Sequence, residues 1–96
     1  MMDLQQLYTQ FENLAEQMNI TILIGEGDFI GGYCTVNDDQ FIVLNKRKTL
    51  EQRLRILAQS FGNLSIQDRY IIPVLREFIE SVVMRGQLSG IFDEKP

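Results

Sequence analysis

Residues 20–44 read ITILIGEGDFIGGYCTVNDDQFIVL, and this stretch decides the fold. Ile20-Thr21-Ile22-Leu23-Ile24 is short, apolar and rich in β-branched residues, which predicts a strand. A glycine-rich connection, Gly25 to Gly32, follows. Tyr33-Cys34-Thr35-Val36 reads as a second strand and Phe41-Ile42-Val43-Leu44 as a third. Between them, Asn37-Asp38-Asp39-Gln40 has hairpin-turn chemistry, because short polar residues tolerate turn backbone angles. Three short strands with tight links imply an antiparallel meander, since parallel crossovers need a longer connection.

Helical periodicity flanks the strands on both sides. Leu4, Leu7, Tyr8, Phe11, Leu14, Ala15 and Met18 recur at helical spacing, behind a capping box of Asp3 and Gln6. After the sheet, Thr49 and Gln52 form a second capping box. Leu50, Leu54, Leu57, Ala58, Phe61 and Leu64 then mark one helix face, which breaks near Gly62 or Asn63. A connecting stretch, Ser65 to Ile72, leads to Pro73, well placed as the first residue of a last helix. Its predicted stripe is Val74, Leu75, Phe78, Ile79, Val82 and Val83, with Gly86 as the C-terminal stop. The order α-β-β-β-α-α is α+β. Residues 1–86 form one predicted domain, and residues 87–96 a loosely held tail in which Ile91 and Phe92 are available for docking.

Composition removes whole classes of chemistry. The 96 residues contain no histidine, no tryptophan and one cysteine, Cys34. Histidine triads, His-ligated metals and Cys/His zinc clusters within the chain are therefore excluded, and so is an internal disulfide. The net charge of −4 is the opposite of a nucleic-acid footprint. No apolar run reaches the roughly 18 residues of a membrane span, and the first residues, MMDLQQLYTQ, lack the pattern of a signal peptide. The expectation is a cytoplasmic domain with no nucleic-acid partner, no membrane partner, no cofactor and no metal.

Local motifs mostly have bland readings. Gly25 and Gly27 fit the first two places of G-x-G-x-x-G, but the third falls on Ile30 and a strand follows instead of a helix. A turn-and-bulge role is the better account. Asn37-Asp38-Asp39 lacks the spacing of a cation loop and reads as a turn. Lys46, Arg47, Lys48, Arg53 and Arg55 place five basic residues within ten positions, a candidate patch for phosphate or an acidic partner; a solvated face is the simpler reading. Cys34, with no histidine to activate it, is expected to be a buried, inert thiol.

Leu57-Ala58-Gln59-Ser60-Phe61-Gly62-Asn63-Leu64 carries one further pattern. It resembles the motif helix, close to L-A-H-E-L-G-H-L, of small zincin-type metallopeptidases of the ImmA/IrrE type. In that family a short helix and a small antiparallel sheet precede this helix. The flanking Leu-Ala, the glycine and the last leucine match here. In H-E-x-x-H, two imidazoles one turn apart bind zinc and the glutamate activates the bound water. Gln59 and Asn63 keep that spacing but are poor zinc ligands, and Ser60 cannot take the proton. The family's third ligand, an acid on a following helix, maps to Glu77 or Glu80. The resemblance covers about half the chain and implies a zincin-like layout with its motif lost.

Three functions follow as expectations. The first is a catalytically inactive, metallopeptidase-like domain that acts by binding protein. The second is a metal-free enzyme using carboxylates with Tyr70, Arg76 or Glu77. The third is a self-associating structural module, since a chain this short gains stability by pairing.

Overall fold

The computed structural model describes residues 2–64, 66 and 69–93, with side chains up to residue 85. Ser65, Gln67 and Asp68 of the predicted connecting stretch lie outside the described residues, as do residues 94–96. The element order is α1 (Leu4–Gln17), β1 (Ile20–Gly25), β2 (Gly31–Val36), β3 (Asp39–Asn45), α2 (Leu50–Gly62) and α3 (Pro73–Asp93). The fold is α+β, with an N-terminal helix, a three-stranded mixed sheet and two C-terminal helices. No helix among the described residues is long and apolar enough to cross a membrane.

Both capping boxes form. Asp3 accepts from the Gln6 backbone at 2.8 Å while the Gln6 side chain accepts from the Asp3 backbone at 2.9 Å. Thr49 and Gln52 do the same at 3.2 and 3.1 Å. Asn19, at φ 62°, takes the left-handed position that turns the chain from α1 into β1. Asn37 and Asp38 have φ values of 52° and 73°, the two positive angles of a tight two-residue hairpin between β2 and β3.

The sheet departs from the expected antiparallel meander. Its order is β1-β3-β2, with β1 parallel to β3 and β2 antiparallel to it. The physical reason is that β2 itself belongs to the connection. Residues 26–38 carry the chain from β1 to β3, long enough for a parallel crossover, and β2 lies inside that crossover as a strand on the far side. Residues 26–30 therefore cross the end of β3 over two strand spacings, about 9–10 Å.

Asn45, at the end of β3, holds this crossing in place. It is 2% exposed, and its Nδ2 donates to the carbonyls of Gly27 at 2.8 Å and Phe29 at 2.6 Å. Its Oδ1 accepts from the Arg47 backbone at 3.0 Å. Gly31, where the crossing enters β2, has φ +107°, and a Cβ there would collide with the Val43 carbonyl. Only glycine fits.

Helices α1 and α2 cover one face of the sheet. Ile20, Ile42 and Leu44 bury there with Leu7, Phe11, Leu14 and Ala15 of α1 and Leu54, Leu57, Ala58 and Phe61 of α2, while Leu75, Ile79 and Val82 of α3 join the same core by packing on α2 and α1. Phe61 stacks on Phe11 with ring centroids 5.7 Å apart, and Phe78 meets Phe11 edge-on at 6.1 Å. Two members of the predicted stripes fall outside the core: Leu4 and Val74 are exposed, in the first turn of their helices. The last helix continues past Gly86 to Asp93, because a glycine lowers helix stability without ending a helix by itself. The docking of Ile91 and Phe92 lies outside the described side chains.

Candidate functional site

The residues of the metallopeptidase-like stretch divide between solvent and core. Gln59 and Asn63 are exposed, one turn apart on the outer side of α2. Asn63 is the C-cap residue, and its backbone N–H bonds to the carbonyls of Gln59 at 3.2 Å and Ser60 at 3.3 Å. Ser60 points inward: it is buried, and its Oγ donates to the Ile56 carbonyl at 2.8 Å. It satisfies itself within its own helix. Glu77 and Glu80 are exposed on α3. Glu80 borders a hollow of about 290 Å³ with Gly62, Ile79, Val83 and Met84. Among the described residues no hydrogen bond joins Gln59 or Asn63 to either acid, and no group of three or more Cys, Asp or Glu side chains is placed to hold a metal ion.

The groups considered for metal-free chemistry are not brought together. Tyr70 is 78% exposed and borders a small hollow with Gln10, Leu14 and Leu75. Arg76 lines the separate hollow beside Glu80, and its Nη2 donates to the Arg69 carbonyl at 3.0 Å. The basic patch is likewise dispersed. Arg47 turns to the crossing loop, 3.6 Å from Glu26 and 3.7 Å from Asp28, while Arg55 pairs along its own helix with Glu51 at 3.7 Å. Arg53 turns to α1, its guanidinium 6.0 Å from the Tyr8 ring centre, with its Nε buried and without a hydrogen-bond partner among the described residues. Lys46 and Lys48 have no ion-pair partner among the described residues. All of these ion pairs are exposed to solvent and add little to stability.

Burial pushes the Tyr8 hydroxyl above the usual tyrosine value; Glu12 pushes it further up and Arg53 pulls it back. The Tyr8–Arg53 contact ties α1 to α2.

The outer face of the sheet carries exposed apolar side chains. Alternation along the register puts Thr21, Phe41 and Cys34 in one row of the outer face, and Leu23, Val43 and Gly32 in the next. Val36 stands on the same face at the hairpin end. Leu23 is 45% exposed and Val36 55%, and a Cβ added at Gly32 would meet nothing within 4 Å. Cys34 is exposed, contrary to the expected buried thiol, because β2 is an edge strand and Cys34 faces away from the helices. This face escaped the sequence reading, although a signal was there. Ile22-Leu23-Ile24 and Phe41-Ile42-Val43-Leu44 are continuously apolar instead of alternating, which marks strands with both faces apolar, whether or not anything covers the second.

No family model, no curated protein and no solved structure matches this chain.

Proposed function

We propose that this domain is a catalytically inactive, zincin-like module that acts by binding protein across the open part of its sheet. The observation that carries the reading is the outer face, uncovered among the described residues, where Leu23 and Val36 stand exposed and Phe41 and Val43 are half-buried. Exposed apolar groups gathered on one side of a small domain mark an interaction surface. The element order, with a helix and a sheet ahead of α2, supports the zincin-like layout.

Self-association over the same face is the second reading, favoured by the small size of the domain.

The test uses two surface substitutions on β2, Cys34→Lys with Val36→Lys, which lie outside the core. The variant should keep wild-type stability and lose at least tenfold in affinity for a recombinant partner first isolated with the wild-type chain. Unchanged affinity would overturn the reading. Light scattering from micromolar to millimolar protein separates the self-associating form, whose mass should then fall to that of a monomer in the variant. Metal-dependent hydrolysis of casein or fluorogenic peptides would overturn the inactive part of the reading.

A further inference from the structure

We propose that the open edge of β1, with the hollows on its two sides, binds an extended segment of a partner that carries basic side chains. The inference rests on the protein-binding reading and specifies the partner's chemistry.

The backbone comes first. Lys46 N–H donates to the Gly25 carbonyl at 2.7 Å, so the peptide groups of Gly25 turn toward β3. Alternation then turns those of Leu23 and Thr21 the same way. The N–H and C=O groups of Ile20, Ile22 and Ile24 point to the open edge. Unpaired among the described residues, such a row of donors and acceptors is a template for an added strand. The usual protections are missing, for ITILIG has no charge and no proline. Leu23 and Ile24, 45% and 49% exposed, supply apolar contact at the far end of the strand.

Charge selects the occupant. Between α1 and β1 lies a hollow of about 430 Å³ lined by Glu12, Glu16, Ile20 and Ile22 among others. On the opposite face a hollow of about 410 Å³ is lined by Thr21, Asp38, Asp39 and Phe41 among others. An added strand sends alternate side chains to the two faces, so one set enters each hollow. Among the described residues each is bordered by two carboxylates and no basic residue, and none of the four acids is in an ion pair. A second copy pairing through its own β1 would bring its Glu12 and Glu16 to the same edge, where like charges repel. A partner with basic side chains near the Ile20 end and apolar ones near Ile24 meets complementary groups throughout. The site is also separate from α2, which packs under β2 and β3 while α1 packs under β1.

The test is an NMR titration at low salt with two acetylated, amidated hexapeptides, Val-Thr-Val-Ile-Lys-Lys and its reverse. Their lysines are then replaced by glutamates as a control. At least one lysine peptide should shift the amides of Ile22 and Ile24 and slow their hydrogen exchange. The glutamate peptides should bind at least tenfold more weakly. Glu12→Gln with Glu16→Gln should weaken the lysine peptide about three- to tenfold, the effect fading at high salt. Ile24→Pro removes an outward N–H without removing a bond to β3, so it should weaken the peptide while the fold persists. No response at β1 to millimolar lysine peptide would overturn the inference. Equal binding of the glutamate peptides would overturn it too. If the lysine peptides fail while Cys34→Lys with Val36→Lys still costs the partner its affinity, this inference falls and the broader reading stands. If that pair also changes nothing, both fall.

Discussion

Asn45 does at one position what the crossing loop cannot do for itself. Residues 26–30 pass over the end of β3 with little regular structure, and two of their carbonyls are satisfied by one buried amide. Asn45→Ala removes three hydrogen bonds, so the expected loss is about 2–4 kcal/mol in urea denaturation. A loss below about 1 kcal/mol would mean water satisfies those carbonyls equally well. This role was hidden in the sequence, where an asparagine after a strand reads as a turn residue; its partners lie 16 and 18 positions earlier. The exposure of Cys34 was hidden for a related reason, since it depends on which sheet face the helices cover. Tyr8 gives a second residue-scale prediction. Its folded-state value is raised above 10.0, so the stability tied to its neutral form is fully present below pH 10. That stability is lost as pH rises through the higher folded value. Tyr8→Phe should therefore flatten the alkaline loss of stability, read by urea denaturation at increasing pH. Identical alkaline profiles for the two proteins would contradict the assigned burial.

At the scale of elements, helices were more legible than strand order. Capping boxes are local, three residues apart, and both were readable as Asp3 with Gln6 and Thr49 with Gln52. Pro73 marked the start of α3 for the same local reason. Strand order is a long-range property: the parallel pairing of β1 with β3 exists only because β2 folds back on the other side, which no local pattern encodes. Gly62 shows a helix contact of the same long-range kind. A Cβ there would collide with Cγ2 of Val83, so α2 and α3 approach closely at this point. Gly62→Ala should cost about 1–3 kcal/mol through overpacking. Adding Val83→Ala should recover part of that loss, with a coupling of at least about 0.5 kcal/mol in a double-mutant cycle. Strictly additive losses would mean the helices separate freely at this contact. The stretch from Leu57 to Leu64 was legible only as spacing. Gln59 and Asn63 kept the one-turn relation, while the burial of Ser60 depends on how α2 rolls against the core.

In the molecule as a whole, α1 and α2 cover one face of the sheet, α3 packs on those helices, and among the described residues the other face is open around Leu23 and Val36. The helix side is closed around Phe61, which is 0% exposed and stacked on Phe11. Phe61→Ala should cost about 3–5 kcal/mol, a large share of the roughly 5–10 kcal/mol such a domain has to lose. A loss under about 1 kcal/mol on denaturation would contradict the packing of α2 against α1. The core was legible because Phe61 lies on a clear helical stripe; the open face was not, because periodicity reports apolar faces without reporting what covers them. The central claim is that the open sheet, and not the outer side of α2, is the working surface. Mapping the amide shifts of the labelled domain on addition of its recombinant partner tests this most directly. Perturbations should concentrate on β1, β2 and the outer row of β3, around Leu23, Val36, Phe41 and Val43. Perturbations centred on Gln59, Asn63 and Glu77, with the sheet unaffected, would contradict the account.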